Sequence, residues 1–162
     1  MRTLASNRYH YVINAGGYID HAPMSQGGQK AIDVHWGGIA NLVRHINRDN
    51  LIRFVNIGSS DEYGDVEAPQ SEKFREHAFT PYSFAKVAAT HYLQMLCRTE
   101  LFPAVTLRLF LCYGPGQGTT RFLPQLISTC LADAEIKISP GEQMRDYCYI
   151  DDVVDAVFLC LE

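Results

Sequence analysis

In Thr80-Pro81-Tyr82-Ser83-Phe84-Ala85-Lys86 a threonine stands directly before a proline, which marks a helix start. The hydroxyl can cap free backbone amides, and proline at the first helical position has the right φ already. The helix is expected to run to about Thr99, with Pro103 fixing its end. Tyr82 and Lys86 are four residues apart, so their side chains share one helix face. A phenol is a poor base at neutral pH, with a pKa near ~10. A neighbouring ammonium favours the phenolate. Such a pair can move a proton to or from a hydroxyl. Ser59 or Ser60, in the loop upstream, can orient that hydroxyl by hydrogen bonding. A tyrosine and a lysine at this spacing are common on helices by chance, so the surroundings carry the weight.

Outward from this helix, strand and helix patterns alternate. Upstream lie a polar loop from Gly58 to Thr80 and a short apolar strand, Ile52 to Ile57. Before them, Ser25 to Arg48 reads as a helix, with Ile32, Ile39, Leu42, Val43 and Ile46 as its apolar stripe. Gly37-Gly38 lies inside that stripe and is expected to let a neighbour approach closely. Tyr9 to Ala15 reads as a strand that ends in glycines. Downstream, Ala104 to Phe110 is a buried strand, and Tyr113-Gly114-Pro115-Gly116-Gln117-Gly118 a loop. A helix over about Phe122 to Ala132 follows, then short strands near Glu135 to Ile138 and Asp146 to Tyr149. Asp151 is placed to cap a last helix. This alternation implies a parallel α/β sheet with right-handed crossovers. No repeat or linker divides residues 1–162, which read as a single, incomplete domain.

Composition narrows the function. The net charge of -4 announces no nucleic-acid or anionic-lipid surface. The apolar runs are too short to span a bilayer, and the first residues hold no apolar signal core. The five cysteines are odd in number, widely spaced and without a C-x-x-C pair, so they read as free thiols of a reducing compartment. A cytoplasmic location is the expectation. The six histidines lack metal-ligand spacing.

Further segments carry a resemblance that spans nearly the whole chain. They are Val12-Ile13-Asn14-Ala15-Gly16, Gly38 with Asn41-Leu42-Val43, and Ser59-Ser60-Asp61-Glu62-Tyr63-Gly64. Arg108-Leu109-Phe110-Leu111-Cys112-Tyr113-Gly114-Pro115-Gly116-Gln117 and Arg121-Phe122-Leu123-Pro124 follow. Gly141-Glu142-Gln143-Met144-Arg145-Asp146-Tyr147 and Tyr149-Ile150-Asp151-Asp152-Val153-Val154 complete the series. In this order, and with Tyr82 and Lys86, they resemble the middle of an extended short-chain dehydrogenase/reductase, the nucleotide-sugar epimerase, dehydratase and reductase branch. The resemblance implies a partial Rossmann-like parallel sheet flanked by helices.

It also implies roles. Tyr82 is the acid/base, Lys86 its tuner and a ribose contact, and Ser59 the hydroxyl positioner, with Ser60 the adjacent alternative. Asn14 and Ala15 lie where the cofactor ribose, of NAD or NADP, would sit beside Tyr82 and Lys86. Asp61 takes the place of a dehydratase glutamate with a shorter arm, or is a solvated loop acid. Arg145 matches the arginine that pairs with a sugar-nucleotide diphosphate, since a planar guanidinium suits phosphate. Its alternative is an ion pair with Asp146 or Asp152. Arg121 is a second phosphate candidate. Ser60, Asp61, Arg121 and Arg145 thus form the expected substrate set.

Departures shape the expectation for activity. Leu111 and His35 stand where the family usually carries asparagine. The glycine-rich cofactor loop belongs to a first strand–helix–strand unit that would precede Tyr9, and the spacing of Gly114, Gly116 and Gly118 belongs to another motif. These residues alone are therefore expected to bind a dinucleotide weakly or not at all. Relatives also continue beyond the last helix, so the isolated chain is expected to be inactive. The alternatives are a non-catalytic assembly module and one half of a split enzyme. A homodimer through helices 25–48 and 81–99 follows from the same resemblance.

Overall fold

The computed structural model describes residues 6–162. The chain forms two compact units, one of residues up to Leu109 together with Val157–Glu162, the other Phe110–Ala156.

The first unit is built on three parallel strands, β1 (Tyr11–Asn14), β2 (Arg53–Ile57) and β3 (Ala104–Leu107), in the order β1-β2-β3. Val12 pairs with Phe54, and Phe54 with Ala104, so one register row crosses the sheet. A helical crossover, α1 (29–45), joins β1 to β2, and α2 (Pro81–Glu100) joins β2 to β3. Strands this short stay together because their inward residues meet both helices. Ile39, Val43 and Ile46 from α1 and its end pack with Phe54, Ala89, Leu93, Leu96 and Phe102 in one buried cluster. Each of these side chains except that of Ala89 contributes about 1.5–3 kcal/mol by leaving water. Tyr11 and Ile13 alternate out of that layer and stay half exposed.

The capped start of α2 is as expected. The Thr80 hydroxyl accepts from the Ser83 amide (3.0 Å), and the Ser83 hydroxyl receives the Thr80 amide (2.9 Å). The helix ends at Glu100, where Leu101 turns into the left-handed region.

In this unit four expectations change. The helix read from Ser25 is broken at its start: Met24–Gln26 form a separate turn closed by Gly27 at φ 95°, and α1 begins at Gln29. Within α1, Asp33–Gly37 wind as a π turn between Gln29–Ile32 and Gly38–His45. Such single turns cluster at functional sites. Gly37-Gly38 does not serve close packing, for a side chain at Gly38 would meet nothing within 4 Å. The strand read as Ala104 to Phe110 stops at Leu107, and the next residue, Arg108, turns its guanidinium toward the buried Glu62 and the part-buried Glu76.

In the second unit β4 (Leu111–Tyr113) pairs in parallel with β5 (Tyr147–Tyr149), Cys112 opposite Cys148. The helix α3 spans Phe122–Leu131 and α4 begins at Ile150 and runs to Leu159. The strand expected near Glu135 to Ile138 is absent: residues 132–146 form no helix or strand. Without a partner strand, their backbone has no ladder to join. The cysteines are free thiols. Among the described residues no helix is long and apolar enough to cross a membrane.

Candidate active site

The carboxyl ends of β1 and β2 carry the polar side chains. Asn14 and Asn56 are partners in the strand register, and Asn14 Nδ2–H donates to Asn56 Oδ1 (2.9 Å). Just beyond β2, Ser59 caps a one-turn 3-10 helix, Ser60–Glu62. Its hydroxyl accepts from the Asp61 amide (3.2 Å), while its own amide donates to Glu62 Oε1 (3.0 Å). Ser59 is thereby fixed from both sides.

Glu62 is fully buried and takes a hydrogen bond from Arg108 Nε (2.8 Å). Arg108 also pairs with Glu76, and Glu76 with the exposed His91. The guanidinium lies over the Tyr63 ring, 4.9 Å from its centroid. Burial pushes the Glu62 carboxyl up, while the Ser59 amide and Arg108 pull it back. Burial also opposes ionisation of Glu76, but its backbone amide, Arg108 and His91 outweigh burial and hold that carboxyl below its ordinary range.

Tyr82 and Lys86 do share a face, and the Lys86 ammonium lies 5.8 Å from the Tyr82 ring centroid. Both are buried. Lys86 Nζ donates to the Ile57 carbonyl at the end of β2 (2.8 Å). Burial lowers the Lys86 pKa and the Glu62 carboxylate opposes that fall. Two imidazoles meet the edge of the Tyr82 ring, His35 at 5.0 Å and His21 at 5.3 Å between centroids. His35, in the π turn, is buried and donates Nε2–H to the Tyr18 carbonyl (2.8 Å). Burial lowers its pKa, Lys86 adds to the lowering, and the Tyr18 carbonyl works against it. Gly17, at φ 133°, has no room for a side chain, since a Cβ would stand 2.3 Å from His35 Cε1.

A cleft of about 230 Å³ opens here, lined by Asn14, Gly16, Gly17, His35, Gly38, Asn56 and Lys86 among others. Its glycine walls, open space over Gly38 and buried ammonium fit a hydroxyl-bearing ring such as a ribose. Of the residues expected at the cofactor, Asn14 and Lys86 line this cleft, Tyr82 touches the lining residue His35 edge-on and Ala15 is exposed. Ser60 and Asp61 lie on the turn capped by Ser59, and Asp61 Oδ2 stands 3.6 Å from His21 Nε2. Arg121 and Arg145 belong to the second unit and are exposed. Arg145 Nη1 donates to its neighbour's carbonyl (3.4 Å), and among the described residues it forms no ion pair with Asp146 or Asp152.

Sequence reasoning passed over Glu62, Asn56, His21 and Gly17 as parts of the site. Ser59-x-x-Glu62 is a capping-box pattern and was readable. Asn56 and His21 carried no spacing signal, because the fold alone brings them to the site.

The model of the NAD dependent epimerase/dehydratase family matches residues 1–162. The chain belongs to that family. The dTDP-glucose 4,6-dehydratase of Haemophilus influenzae is 30% identical to it over 118 residues, 70% of this chain and 35% of that protein. The CDP-abequose synthase of Salmonella typhimurium is 43% identical over 60 residues, 36% of this chain and 20% of that one. Among solved structures, UDP-glucuronic acid 4-epimerase from Bacillus cereus in complex with NAD superposes with a TM-score of 0.81 at 25% identity. That match covers 94% of this chain and 49% of the epimerase. The UDP-N-acetylglucosamine 4-epimerase from Methanobrevibacter ruminantium gives a TM-score of 0.84 at 22% identity, over 93% of this chain and 51% of that one, a likeness of fold. This family member therefore spans about half the length of those solved relatives. Among its described residues no group of three or more His, Cys, Asp or Glu could hold a metal ion.

Proposed function

We propose that these residues form the proton-transfer and substrate half of an NAD(P)-dependent nucleotide-sugar epimerase, dehydratase or reductase. The observation that carries this reading is the buried Tyr82–Lys86 pair at the carboxyl end of β2, with Ser59 fixed by its capping box. A nicotinamide, when bound, supplies the hydride acceptor or donor. Asn14 and Lys86 line the cleft that fits its ribose, and Ala15 flanks it in sequence. Tyr82 holds or takes the proton of the reacting sugar hydroxyl. Lys86, anchored on the Ile57 carbonyl, keeps positive charge beside the phenol and so favours its ionised form. The Ser59 hydroxyl orients the sugar oxygen, with Ser60 and Asp61 beside it. Arg145 and Arg121, both exposed in the second unit, are the guanidinium candidates for a diphosphate.

These residues grip a dinucleotide weakly, because no glycine-rich turn at a helix N-terminus is among them. The protein is a homodimer through the outer faces of α1 and α2, and the free thiols fit the cytoplasm.

Isothermal titration of the full chain with dTDP-glucose, UDP-glucose, NAD and NADP tests this reading. Heat is expected from a nucleotide sugar, weakened by Arg145→Ala, with little from either dinucleotide. Micromolar binding of NAD or NADP contradicts the weak grip. Silence toward both nucleotide sugars leaves the non-catalytic assembly module as the better description.

A further inference from the structure

The second unit holds two thiols that face each other across a strand pair and take no part in the proposed chemistry. Cys112 of β4 and Cys148 of β5 are partners in the parallel register, so their side chains leave the same face of the ladder side by side. Neighbouring strands run about 4.7–4.9 Å apart, within the Cα separations of about 4.4–6.8 Å that a disulfide spans. Both thiols are free and part-buried. Burial pushes the Cys112 thiol up, and the adjacent Cys148 adds to this. The other three cysteines lie on helices or at a helix end, outside any strand register.

The surroundings hold the pair in register. Cys112 Sγ–H donates to the Phe110 carbonyl (3.6 Å), and Gln117 Nε2–H donates to the Cys112 carbonyl (2.7 Å). Residues flanking the cysteines point to the opposite face. There the Tyr113 ring meets Tyr147 edge-on at 6.3 Å and lies tilted to Tyr149 at 5.4 Å. Just past the strands, Gly114 lies so close to α4 that a Cβ would stand 2.4 Å from Ile150 Cγ2. The register of the two sulfurs is therefore fixed on both sides of the pair. A ladder of two short strands is marginal by itself, so a covalent tie across it adds what hydrogen bonds alone do not.

We infer that Cys112 and Cys148 form a reversible disulfide site, open in the reduced chain and closed by a peroxide. The Cys148 thiolate attacks one peroxide oxygen. The O–O bond breaks, the other oxygen leaves and is protonated to water, and Cys148 becomes a sulfenic acid. The Cys112 sulfur gives up its proton and attacks the Cys148 sulfur, and the hydroxyl leaves as a second water. One S–S bond thus replaces two S–H bonds, the thiols lose two electrons, and the peroxide is reduced to water. An external dithiol reverses the step and becomes a disulfide itself. Parallel neighbours aim their Cβ atoms alongside rather than toward each other, which strains the bond, and strained disulfides are the readily reduced, regulatory kind. In a reducing compartment such bonds are transient. Closure joins residues 112–148 into one covalent loop that contains Arg121 and Arg145.

The full chain, treated with hydrogen peroxide and then alkylated, is digested without reduction and mapped by mass spectrometry. The expected product is a cross-linked peptide that joins Cys112 to Cys148 within one chain. Two of the five thiols are then lost to alkylation, and dithiothreitol restores both. Cys112→Ser and Cys148→Ser should each abolish the cross-linked peptide. Cys112→Ser should also leave Cys148 as a sulfenic acid that dimedone labels. Full alkylation of Cys112 and Cys148 in the peroxide-treated wild-type chain overturns the inference. A Cys112–Cys148 link that forms only between two chains, or that dithiothreitol does not open, overturns it as well.

Discussion

Glu62 shows how one buried charge organises this site. Its carboxylate receives the Ser59 amide and Arg108 Nε, and its field supports the Lys86 ammonium. Removing one member of such a buried pair strands the other, at a cost of about 3–5 kcal/mol. Glu76 extends the network to the surface and gives it a pH dependence. Its carboxyl is held below the ordinary 4.5 in the folded chain. The unfolded chain therefore binds the proton first as the solution is acidified. The contribution of Glu76 to stability is complete above the ordinary value and is lost as pH falls through the depressed one. Denaturant midpoints are expected to decline below about pH 4.5. Glu76→Gln should flatten that decline and lower the midpoint near pH 7. An unaltered acid limb in the variant would show that this network does not control acid stability.

At the level of elements, the loop–helix junction at Gly28 and Pro81 places His21 against Tyr82. Gly28→Ala drives a methyl into the Ala22 carbonyl, and backbone cannot yield as a flexible side chain can. The variant should lose about 1–3 kcal/mol in denaturant unfolding, the range for overpacking. It should also move the His21 resonances while leaving those of the Leu93 core in place. Unchanged His21 resonances would mean that the loop is positioned otherwise. This junction was not legible in the sequence. Thr80-Pro81 announced the helix start and Tyr82 with Lys86 announced a shared face, because caps and four-residue spacing are local signals. Gly28, His21 and Asn56 acquire their roles from chain segments far apart in sequence. The π turn at Asp33–Gly37 escaped for a related reason: its extra residue per turn leaves Ile32, Ile39, Leu42 and Val43 looking like an ordinary helical stripe. The strand expected at Glu135 to Ile138 failed because apolar alternation alone cannot supply a neighbouring ladder.

For the whole molecule, the three-stranded parallel sheet and its crossovers follow the alternation that the sequence displays. The resemblance along nearly all the chain is matched by the family to which it belongs. The proposed homodimer places the exposed Phe84 and Met95, three turns apart on α2, at the contact. Sedimentation equilibrium should give twice the 18.2 kDa chain mass, and Phe84→Asp with Met95→Lys should return a folded monomer. A wild-type monomer would rule out the dimer. Ser59, Tyr82 and Lys86 are proposed to form one site for a nucleotide sugar. The most direct test is a proton–nitrogen NMR titration of the full chain with dTDP-glucose. Concentration-dependent shifts are expected at the amides of Ser59, Ser60, Asp61 and Tyr82, lost when the sugar nucleotide is replaced by glucose. Saturable shifts confined to other residues, with these amides silent, would contradict it.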